Sequence, residues 1–502
     1  MNSAETLNPA TASLPKAGQG ATESRPTAAA PLKPGWIMLL AVLAVATFHL
    51  GFLFAPVCWL VLVWLGCLFA LRRVPSGRWA FYTGLAIGLG IYGPQLYFFW
   101  DIFGPAAIAL WLVLAFWLAL FVLLLHGVEK CWGTTWAVVL APVLWLGIEF
   151  FRSELYYLRF AWFTAGSLVP LRATGGLLPW FGVYGFGALL VWIASTFARM
   201  AERRDKTWRM DLSLMLQVVI TIAVLTVLVF LWIGQHYRET AAAGLQVTGI
   251  QMEFPSVLEV TDRLRKLWVS QPQAQLVALS EYTFDGPVPD EVRAWCRDNR
   301  RWLVAGGKEP LAGGKFYNTA YVVGTNGAIV FKQAKAVPIQ FFNDGVPAPE
   351  QRVWESPWGK IGICICYDLS YARVVDRLIS QGAQALLVPA MDTQMWGAHE
   401  HELNARMTPV RAAEYGVPIF RVSSSGISQV VDRHGRVRAQ LPFPGQGEII
   451  QGRLVWPNSA HGRLPLDRYL APVAVLATVV IMILLGWQQY RTYHQAPLPS
   501  NS

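Results

Sequence analysis

Long apolar runs dominate the first half of the chain and return once near its end. They cover about residues 36–50, 53–71, 79–100, 105–127, 134–151, 176–198 and 212–234, and an eighth covers 467–486. A helix needs about 20 apolar residues to cross the hydrocarbon layer of a bilayer. The pattern therefore predicts about eight transmembrane helices, the first of which must borrow flanking residues because its run is short.

Between the seventh and eighth runs the pattern changes to short strands that alternate with amphipathic helices. Strand-like runs lie at Leu245–Met252, Gln275–Leu279, Trp302–Ala305, Ala320–Val323, Ala328–Phe331, Ile361–Cys366, Ala385–Pro389 and Pro418–Ser423. Helical runs with polar faces lie at about 257–270, 289–299, 371–381 and 399–415. This alternation predicts one α/β domain in which helices cover a mixed sheet.

These patterns divide the chain into five parts. We expect a disordered tail at 1–34, a seven-helix membrane domain at 35–235, a soluble domain at 236–466, an eighth transmembrane helix at 467–487 and a second tail at 488–502. The first tail is rich in Ala, Pro, Ser, Thr and Gly and has too few large apolar groups to bury a core. A cleavable signal peptide is not expected, since the first apolar run begins only near Trp36.

Composition agrees with a membrane protein and refines its orientation. Apolar residues make up 54% of the chain, aromatic residues 13%, and the mean hydropathy is +0.38. The formal charge of +10 does not indicate nucleic-acid binding, because no nucleic-acid-binding motif accompanies it. Its basic residues flank alternate apolar runs, so both tails are predicted in the cytoplasm and the soluble domain on the opposite side. The flanking groups include Arg72, Arg73, Arg78, Lys130, Arg199, Arg203 and Arg204.

A cysteine at the end of a buried strand is the strongest candidate for chemistry. Cys366 closes the run Ile361–Cys366, and a thiol becomes a strong nucleophile only beside a base or a cation. Glu281 follows the apolar run Gln275–Leu279, and two lysines follow Ala328–Phe331. Taken singly, the cysteine could be a buried structural residue, the glutamate a turn residue, and the lysines solvated residues at a strand edge. Together, each at a strand end, they favour one active site.

Other reactive-looking groups are weaker candidates. Cys364 and Cys366 lie two apart, so both are expected on one face of a strand, with Cys364 packing among isoleucines. No disulfide framework and no zinc-binding cysteine spacing is present.

The run His399–Glu402 places its histidines on different sides of a helix, which favours a solvated helix start over a metal site. No metal and no cofactor is predicted. Trp396 precedes this helix in a stretch that could form a mobile flap.

With these residues in place, the soluble part resembles the nitrilase superfamily of carbon–nitrogen hydrolases. The matching pieces are Leu279-Ser280-Glu281, Phe316-Tyr317-Asn318-Thr319-Ala320, Val337-Pro338, Cys366-Tyr367-Asp368 and the run 421–428. The resemblance implies an αββα sandwich with a Glu–Lys–Cys triad. Glu281 would accept the proton, a lysine would stabilise the thiolate and oxyanion, and Cys366 would be the nucleophile.

The lysine is the ambiguous member of this triad. Counted back from Pro338, the position that carries the lysine in the family falls on Gln333. Lys335 shares the strand parity of that position, so it is favoured, and Lys332 is the second choice. The second glutamate that the family has soon after Val-Pro is missing here, and Asp344 is its candidate substitute; Asp368 replaces a longer acid. The auxiliary residues implied by the resemblance are Tyr367, Asp368 and Asp344.

The membrane spans on both sides extend the resemblance to the apolipoprotein N-acyltransferase family. It then implies that an acyl chain moves from a phospholipid, expected to be phosphatidylethanolamine, through a Cys366 thioester to the amine of a diacylated apolipoprotein. The implied location is the bacterial inner membrane, with a periplasmic catalytic domain and membrane lipid as its surroundings. Two alternatives stay open: a membrane-anchored amidase, and a catalytically degenerate homologue that binds lipid or a partner protein.

Overall fold

Helices form the first half of the computed structural model, which describes residues 30–169, 176–202, 219–220, 242–445, 447–457 and 462–494. These helices are α1 (Pro34–Leu53), α2 (Leu60–Ala70), α3 (Gly77–Gln95), α4 (Phe98–Phe103), α5 (Ala106–Trp132), α6 (Thr134–Phe150) and α7 (Leu178–Glu202). A single π-turn, Phe151–Leu155, extends α6. Their facing sides bury a continuous apolar core, which fixes the relative positions of the helices.

Within the described residues, five helices are long and apolar enough to cross a membrane. They are α1, α5, α6 with its π-turn, α7 and a C-terminal helix over 467–491. The predicted run 53–71 is helical only from Leu60, because Pro56 lies in a short 3₁₀ turn before it. The run 79–100 is split after Gln95, close to Pro94. The run 212–234 lies outside the described residues, so the total of about eight spans stays a prediction.

Two six-stranded sheets form the soluble part. The strands are β1 (Ala242–Ile250), β2 (Leu276–Leu279), β3 (Trp302–Pro310), β4 (Phe316–Val323), β5 (Ile329–Ala334), β6 (Val353–Ser356), β7 (Gly359–Ile363), β8 (Ala385–Ala390), β9 (Ile419–Ser423), β10 (Ser428–Val431), β11 (Val437–Leu441) and β12 (Ile449–Pro457). One sheet has the order β12-β1-β2-β3-β4-β5 and the other β11-β10-β9-β8-β7-β6. The central pairs β1–β2, β2–β3, β7–β8 and β8–β9 are parallel.

The sheets lie face to face and helices cover their outer sides. Buried side chains from both sheets form the central core, for example Val247 and Val322 with Leu387 and Val422. Helices α8 (Val257–Ser270) and α9 (Asp290–Asn299) cover the first sheet, and α10 (Ala372–Ser380) and α11 (Ala398–Tyr415) cover the second. The layers are therefore αββα, as the resemblance implies. The prediction of one mixed sheet from the strand alternation is wrong, because the strands form two sheets. The sequence analysis also missed β6 and the last three strands, which are shorter or more polar than the others.

Buried polar contacts attach this sandwich to the membrane helices. Glu154, in the π-turn after α6, accepts a hydrogen bond from the backbone N–H of Ala372 at 2.8 Å. Glu414 of α11 accepts one from the N–H of Val183 at 2.9 Å. The last helix, α12 (Asp467–His494), begins at the same junction, where Arg468 pairs with Glu414 at 2.9 Å. Carboxylates buried with such partners fix one orientation of the sandwich relative to these helices.

Candidate active site

The backbone turns sharply at Cys366, just beyond β7. Its φ is +51°, a left-handed conformation that costs free energy for a residue with a Cβ atom. Because of this turn, its side chain points between the two sheets, whereas Cys364 points outward to the apolar layer under α10 and α11. The expectation that both thiols share one face is therefore wrong. Strand parity does not apply, since the regular strand ends at Ile363.

Glu281 lies where β2 ends and reaches the same space between the sheets. Its side chain is buried, and its Oε2 accepts a hydrogen bond from the backbone N–H of Met391 at 2.8 Å. The carbonyl oxygen of Met391 lies 3.7 Å from Cys366 Sγ. One peptide segment therefore contacts both the carboxylate and the thiol, although they are 85 residues apart in sequence.

Lys335 is the lysine that joins this site, and Lys332 is not. The Lys335 ammonium lies 2.8 Å from Glu281 Oε1 and 2.7 Å from Asp344 Oδ2, and its side chain is 1% exposed. Lys332 is half-exposed and pairs with Glu309 at the far face of the strand. Gln333 donates instead to the backbone carbonyls of Ala334 and Glu350.

Asn318 completes the charged cluster and was not singled out from the sequence. Its amide donates to Glu281 Oε1 at 2.6 Å and to Asp344 Oδ1 at 2.9 Å. Asp344 also accepts from the Tyr282 hydroxyl at 2.7 Å and the Ile339 N–H at 2.7 Å. In the sequence, Asn318 was indicated only by its position in the run 316–320, which resembles the nitrilase superfamily.

We expect Asn318→Asp to damage the site more than Asn318→Ala, although aspartate has nearly the same shape. Alanine removes a donor shared by two carboxylates, which costs about 1–3 kcal/mol of unfolding free energy. Aspartate adds a third acid that faces Glu281 and Asp344 with no additional cation. Chemical denaturation of both variants measures the order. The matched control is Asn326→Asp on an exposed turn, expected within about 0.5 kcal/mol of wild type; equal losses for Asp and Ala at 318 would contradict the charge argument.

The protonation of the cluster follows from burial and from the single ammonium. Burial raises the pKa of the Cys366 thiol well above its usual value, and the charge of Glu281 adds to this effect. Burial also raises the pKa of Glu281, against the attraction of Lys335. Burial acts to lower the pKa of Lys335, but Glu281 and Asp344 outweigh it and raise that pKa well above normal. A neutral thiol beside a basic carboxylate is the arrangement that general-base activation of a nucleophile requires.

Asp368 holds the backbone around the thiol. Its two oxygens accept hydrogen bonds from the N–H groups of Ala336, Val337 and Ile365 at 3.0, 2.7 and 3.3 Å. Burial raises its pKa to about 6, against the effect of these donors. Asp368 therefore connects the segment after Lys335 to the turn that carries Cys366.

An apolar cavity of about 150 Å³ opens beside Cys366 and extends into the membrane helices. Its walls come from three parts of the chain. The membrane helices supply Phe98, Phe99, Phe103 and Leu114, the loop after α6 supplies Leu158, Arg159, Phe160 and Trp162, and the sandwich supplies Val337, Phe342, Tyr367, Tyr371 and Trp396. A cavity with this lining, ending at a thiol, suits an acyl chain whose carbonyl end meets Cys366.

Aromatic contacts close the outer side of the cavity. Phe342 lies between Phe103 of the membrane helices and Trp396 of the sandwich, with ring centroids 5.6 and 6.0 Å away. Tyr367 contacts Trp162 from the loop after α6 at 5.8 Å. The proposal that the stretch around Trp396 forms a mobile flap stays a prediction, but its indole does lie over the site.

The sequence predicted a solvated helix start at His399–Glu402, and this prediction is wrong. Glu400 and His401 are buried, and with Asp392 they bring one potential ligand atom each to within 4.8 Å of one another. Asp392 is already paired with Arg421 at 2.5 Å and accepts from Asn404 and Ser423. The oxygens of Asp392 are thus largely occupied, which makes this cluster a poor place for a cation.

Two family models match the chain in sequence order. The apolipoprotein N-acyltransferase N-terminal domain matches residues 36–196, and the carbon–nitrogen hydrolase domain matches 236–454. An apolipoprotein N-acyltransferase of Pseudomonas aeruginosa is 26% identical over 392 residues, covering 69% of this chain and 73% of the relative. That of Nitrosomonas europaea is 23% identical over 461 residues, covering 81% and 89%. The deaminated glutathione amidase of Dictyostelium discoideum is 30% identical over 179 residues, covering 31% of this chain and 62% of the amidase.

Proposed function

Because this chain belongs to the apolipoprotein N-acyltransferases, membrane enzymes with a carbon–nitrogen hydrolase domain, we propose that Cys366 carries the acyl group between a phospholipid and a lipoprotein amine. The main support is that Cys366 lines an apolar cavity that reaches into the membrane helices, and that the Met391 peptide segment joins it to the buried Glu281–Lys335 pair. Phosphatidylethanolamine is the proposed donor, and a diacylglyceryl-cysteine lipoprotein the acceptor.

In the first half-reaction, Glu281 takes the proton from the Cys366 thiol. The thiolate attacks an ester carbonyl of the phospholipid, and the oxyanion that forms is stabilised by the Lys335 ammonium and the backbone N–H of Tyr367. The ester C–O bond then breaks, and the departing lysophospholipid oxygen takes the proton from Glu281. The products are a thioester on Cys366 and a lysophospholipid with a free hydroxyl group.

In the second half-reaction, the α-amine of the lipoprotein attacks the thioester carbonyl. Glu281 accepts a proton from the amine, and the same two donors stabilise the oxyanion. The C–S bond breaks, an amide is formed, and the Cys366 sulfur takes the proton back from Glu281. No metal or nucleotide enters either step.

The proposed orientation places the sandwich in the periplasm and both chain ends in the cytoplasm of a bacterial inner membrane. Basic residues beside alternate apolar runs support it, because such residues favour the cytoplasmic side. Both substrates carry lipid chains, so a thiol held at the membrane surface needs neither substrate to leave the bilayer. The cavity shared by helices and sandwich fits this arrangement.

We expect the full chain in detergent to take radiolabel from acyl-labelled phosphatidylethanolamine and to pass it to a synthetic diacylated lipopeptide. The product should be an N-acylated lipopeptide detected by mass spectrometry, because an amine is the second nucleophile. The control is the same lipopeptide with an acetylated N-terminus, which should receive no label. Release of free fatty acid alone, with either peptide, would instead favour the amidase alternative, the activity named for the Dictyostelium relative.

A further inference from the structure

Two arginines lie beside the acyl cavity and have no part in the reaction described above. Arg159 lines the cavity in the loop that follows α6. This loop lies at the end of a membrane-crossing helix, where Leu155 and Tyr157 are exposed. A tyrosine at such a position is typical of the layer in which lipid headgroups lie. A lipid whose acyl chain fills the cavity would therefore present its headgroup near this loop.

Arg373 comes to the same place from the sandwich. It lies in the first turn of α10, and its guanidinium lies 5.5 Å from the ring centroid of Tyr371. The Tyr371 hydroxyl donates to the backbone carbonyl of Arg159 at 3.2 Å, so this tyrosine contacts both arginines. Burial lowers the pKa of Arg373, and the charge of Arg159 is the next cause. The fold therefore holds two like charges close together despite their repulsion.

Neither guanidinium has a carboxylate within 4 Å among the residues that the structure describes. Toward the described part of the chain, Arg159 donates from Nε to the Tyr156 carbonyl at 3.3 Å. The Nε of Arg373 is buried without a hydrogen-bond partner. Glu154 is the nearby acid, but its oxygens accept from the Tyr184 hydroxyl and from the N–H groups of the first turn of α10. A buried guanidinium donor without a partner is costly, which indicates that a ligand supplies the acceptor.

We propose that Arg159 and Arg373 bind the phosphodiester of the glycerophospholipid acyl donor. This inference rests on the proposed function, since it concerns the donor of the same reaction. Guanidinium groups match phosphate oxygens in shape and charge, and two of them can hold one phosphodiester. With the phosphate held there and the acyl chain in the cavity, the ester between them lies toward Cys366. The pair thus selects phospholipids over neutral glycerides.

The test compares two donors that differ only in the headgroup. Acyl-enzyme formation on the full chain in detergent is measured with dioleoyl phosphatidylethanolamine and with dioleoylglycerol, for wild type and for the Arg159→Gln/Arg373→Gln double variant. We expect the ratio of the two second-order acylation rate constants, phospholipid over diacylglycerol, to fall by about tenfold or more. The cause would be weaker binding of the phospholipid, since losing about 1.4 kcal/mol of binding produces a tenfold change. The single variant Arg373→Lys keeps a positive charge at this position, so it should retain part of the preference that the double variant loses.

The controls separate this inference from folding and from the proposed function. Arg297→Gln, on the exposed surface of α9, should leave the ratio unchanged. An unchanged ratio in a double variant that still forms acyl-enzyme overturns the phosphate assignment and leaves the proposed function intact. Absence of acyl-enzyme in wild type with both donors rejects the proposed function instead. If the double variant loses inhibition by millimolar inorganic phosphate but keeps the wild-type donor ratio, the pair binds the free anion, and the lipid assignment is overturned.

Discussion

Replacing Cys366 with alanine is expected to remove the acyl-enzyme completely and to lower N-acylation by at least about 10⁴-fold, the scale seen when a covalent nucleophile is deleted. No other described cysteine contacts the cluster of Glu281, Lys335 and Asp344. The backbone strain at this position, with φ at +51°, keeps the thiol between the sheets rather than in the outer apolar layer. Radiolabel retained by the protein after denaturation measures the thioester directly.

Cys364→Ala is the matched control for this experiment. Cys364 is buried among apolar side chains such as Leu378 and Val388, outside the cavity and on the far side of its sheet. Its loss should cost about 1 kcal/mol of stability and leave the labelled acyl-enzyme intact. If Cys364→Ala lost the label while Cys366→Ala kept it, the assignment of the nucleophile would be wrong.

Replacing Lys335 with methionine is expected to have the second largest effect, on stability as well as activity. The methionine has a similar length, but it leaves Glu281 and Asp344 buried without a cation. Breaking a buried ion pair in this way costs about 3–5 kcal/mol. Thermal unfolding of the detergent-solubilised protein measures this loss, and acyl-enzyme formation under conditions where the variant stays folded measures the catalytic loss, expected at about 10²–10³-fold.

Two further variants make the lysine prediction specific. Lys332→Met removes a half-exposed ion pair with Glu309, so it should change stability by less than about 1 kcal/mol and leave acyl transfer intact. Lys335→Arg keeps the charge but cannot place a compact ammonium between two carboxylates. It should therefore recover much of the stability and little of the activity. An active Lys335→Met enzyme beside an inactive Lys332→Met enzyme would reverse the assignment.

Local patterns in the sequence were enough for several features of this protein. Long apolar runs predicted the helices that are long and apolar enough to cross a membrane, for example α5. Runs of apolar residues that stop at an acid or a thiol predicted where β2 and the strand before Cys366 end. The position of a helix or a strand end depends on the residues of that one element and on their burial, so the local sequence predicts it. Local sequence also misplaced one element, because the predicted span 79–100 is split after Gln95, close to Pro94.

Only the tertiary structure shows which of Lys332 and Lys335 lies beside Glu281. Counting back from Pro338 placed the family lysine on Gln333, and strand parity could only rank its two neighbours. The packing of β5 against β4 turned Lys335 toward Glu281 and left Lys332 beside Glu309. Strand parity also gave the wrong relative direction for Cys364 and Cys366. Cys366 lies beyond the end of the strand and has a left-handed backbone conformation, which turns its side chain between the sheets.

The chain's sequence by itself determined the membrane helices, the α/β domain between them and the residue types needed for a thiol-based acyl transfer. Only the tertiary structure brought Asn318 and the Met391 backbone to the same carboxylate, formed an apolar cavity between helices and sandwich, and set Arg159 beside Arg373. These contacts join residues from 37 to 214 positions apart. Their geometry depends on how whole sheets and helices pack, and local propensity does not encode that packing.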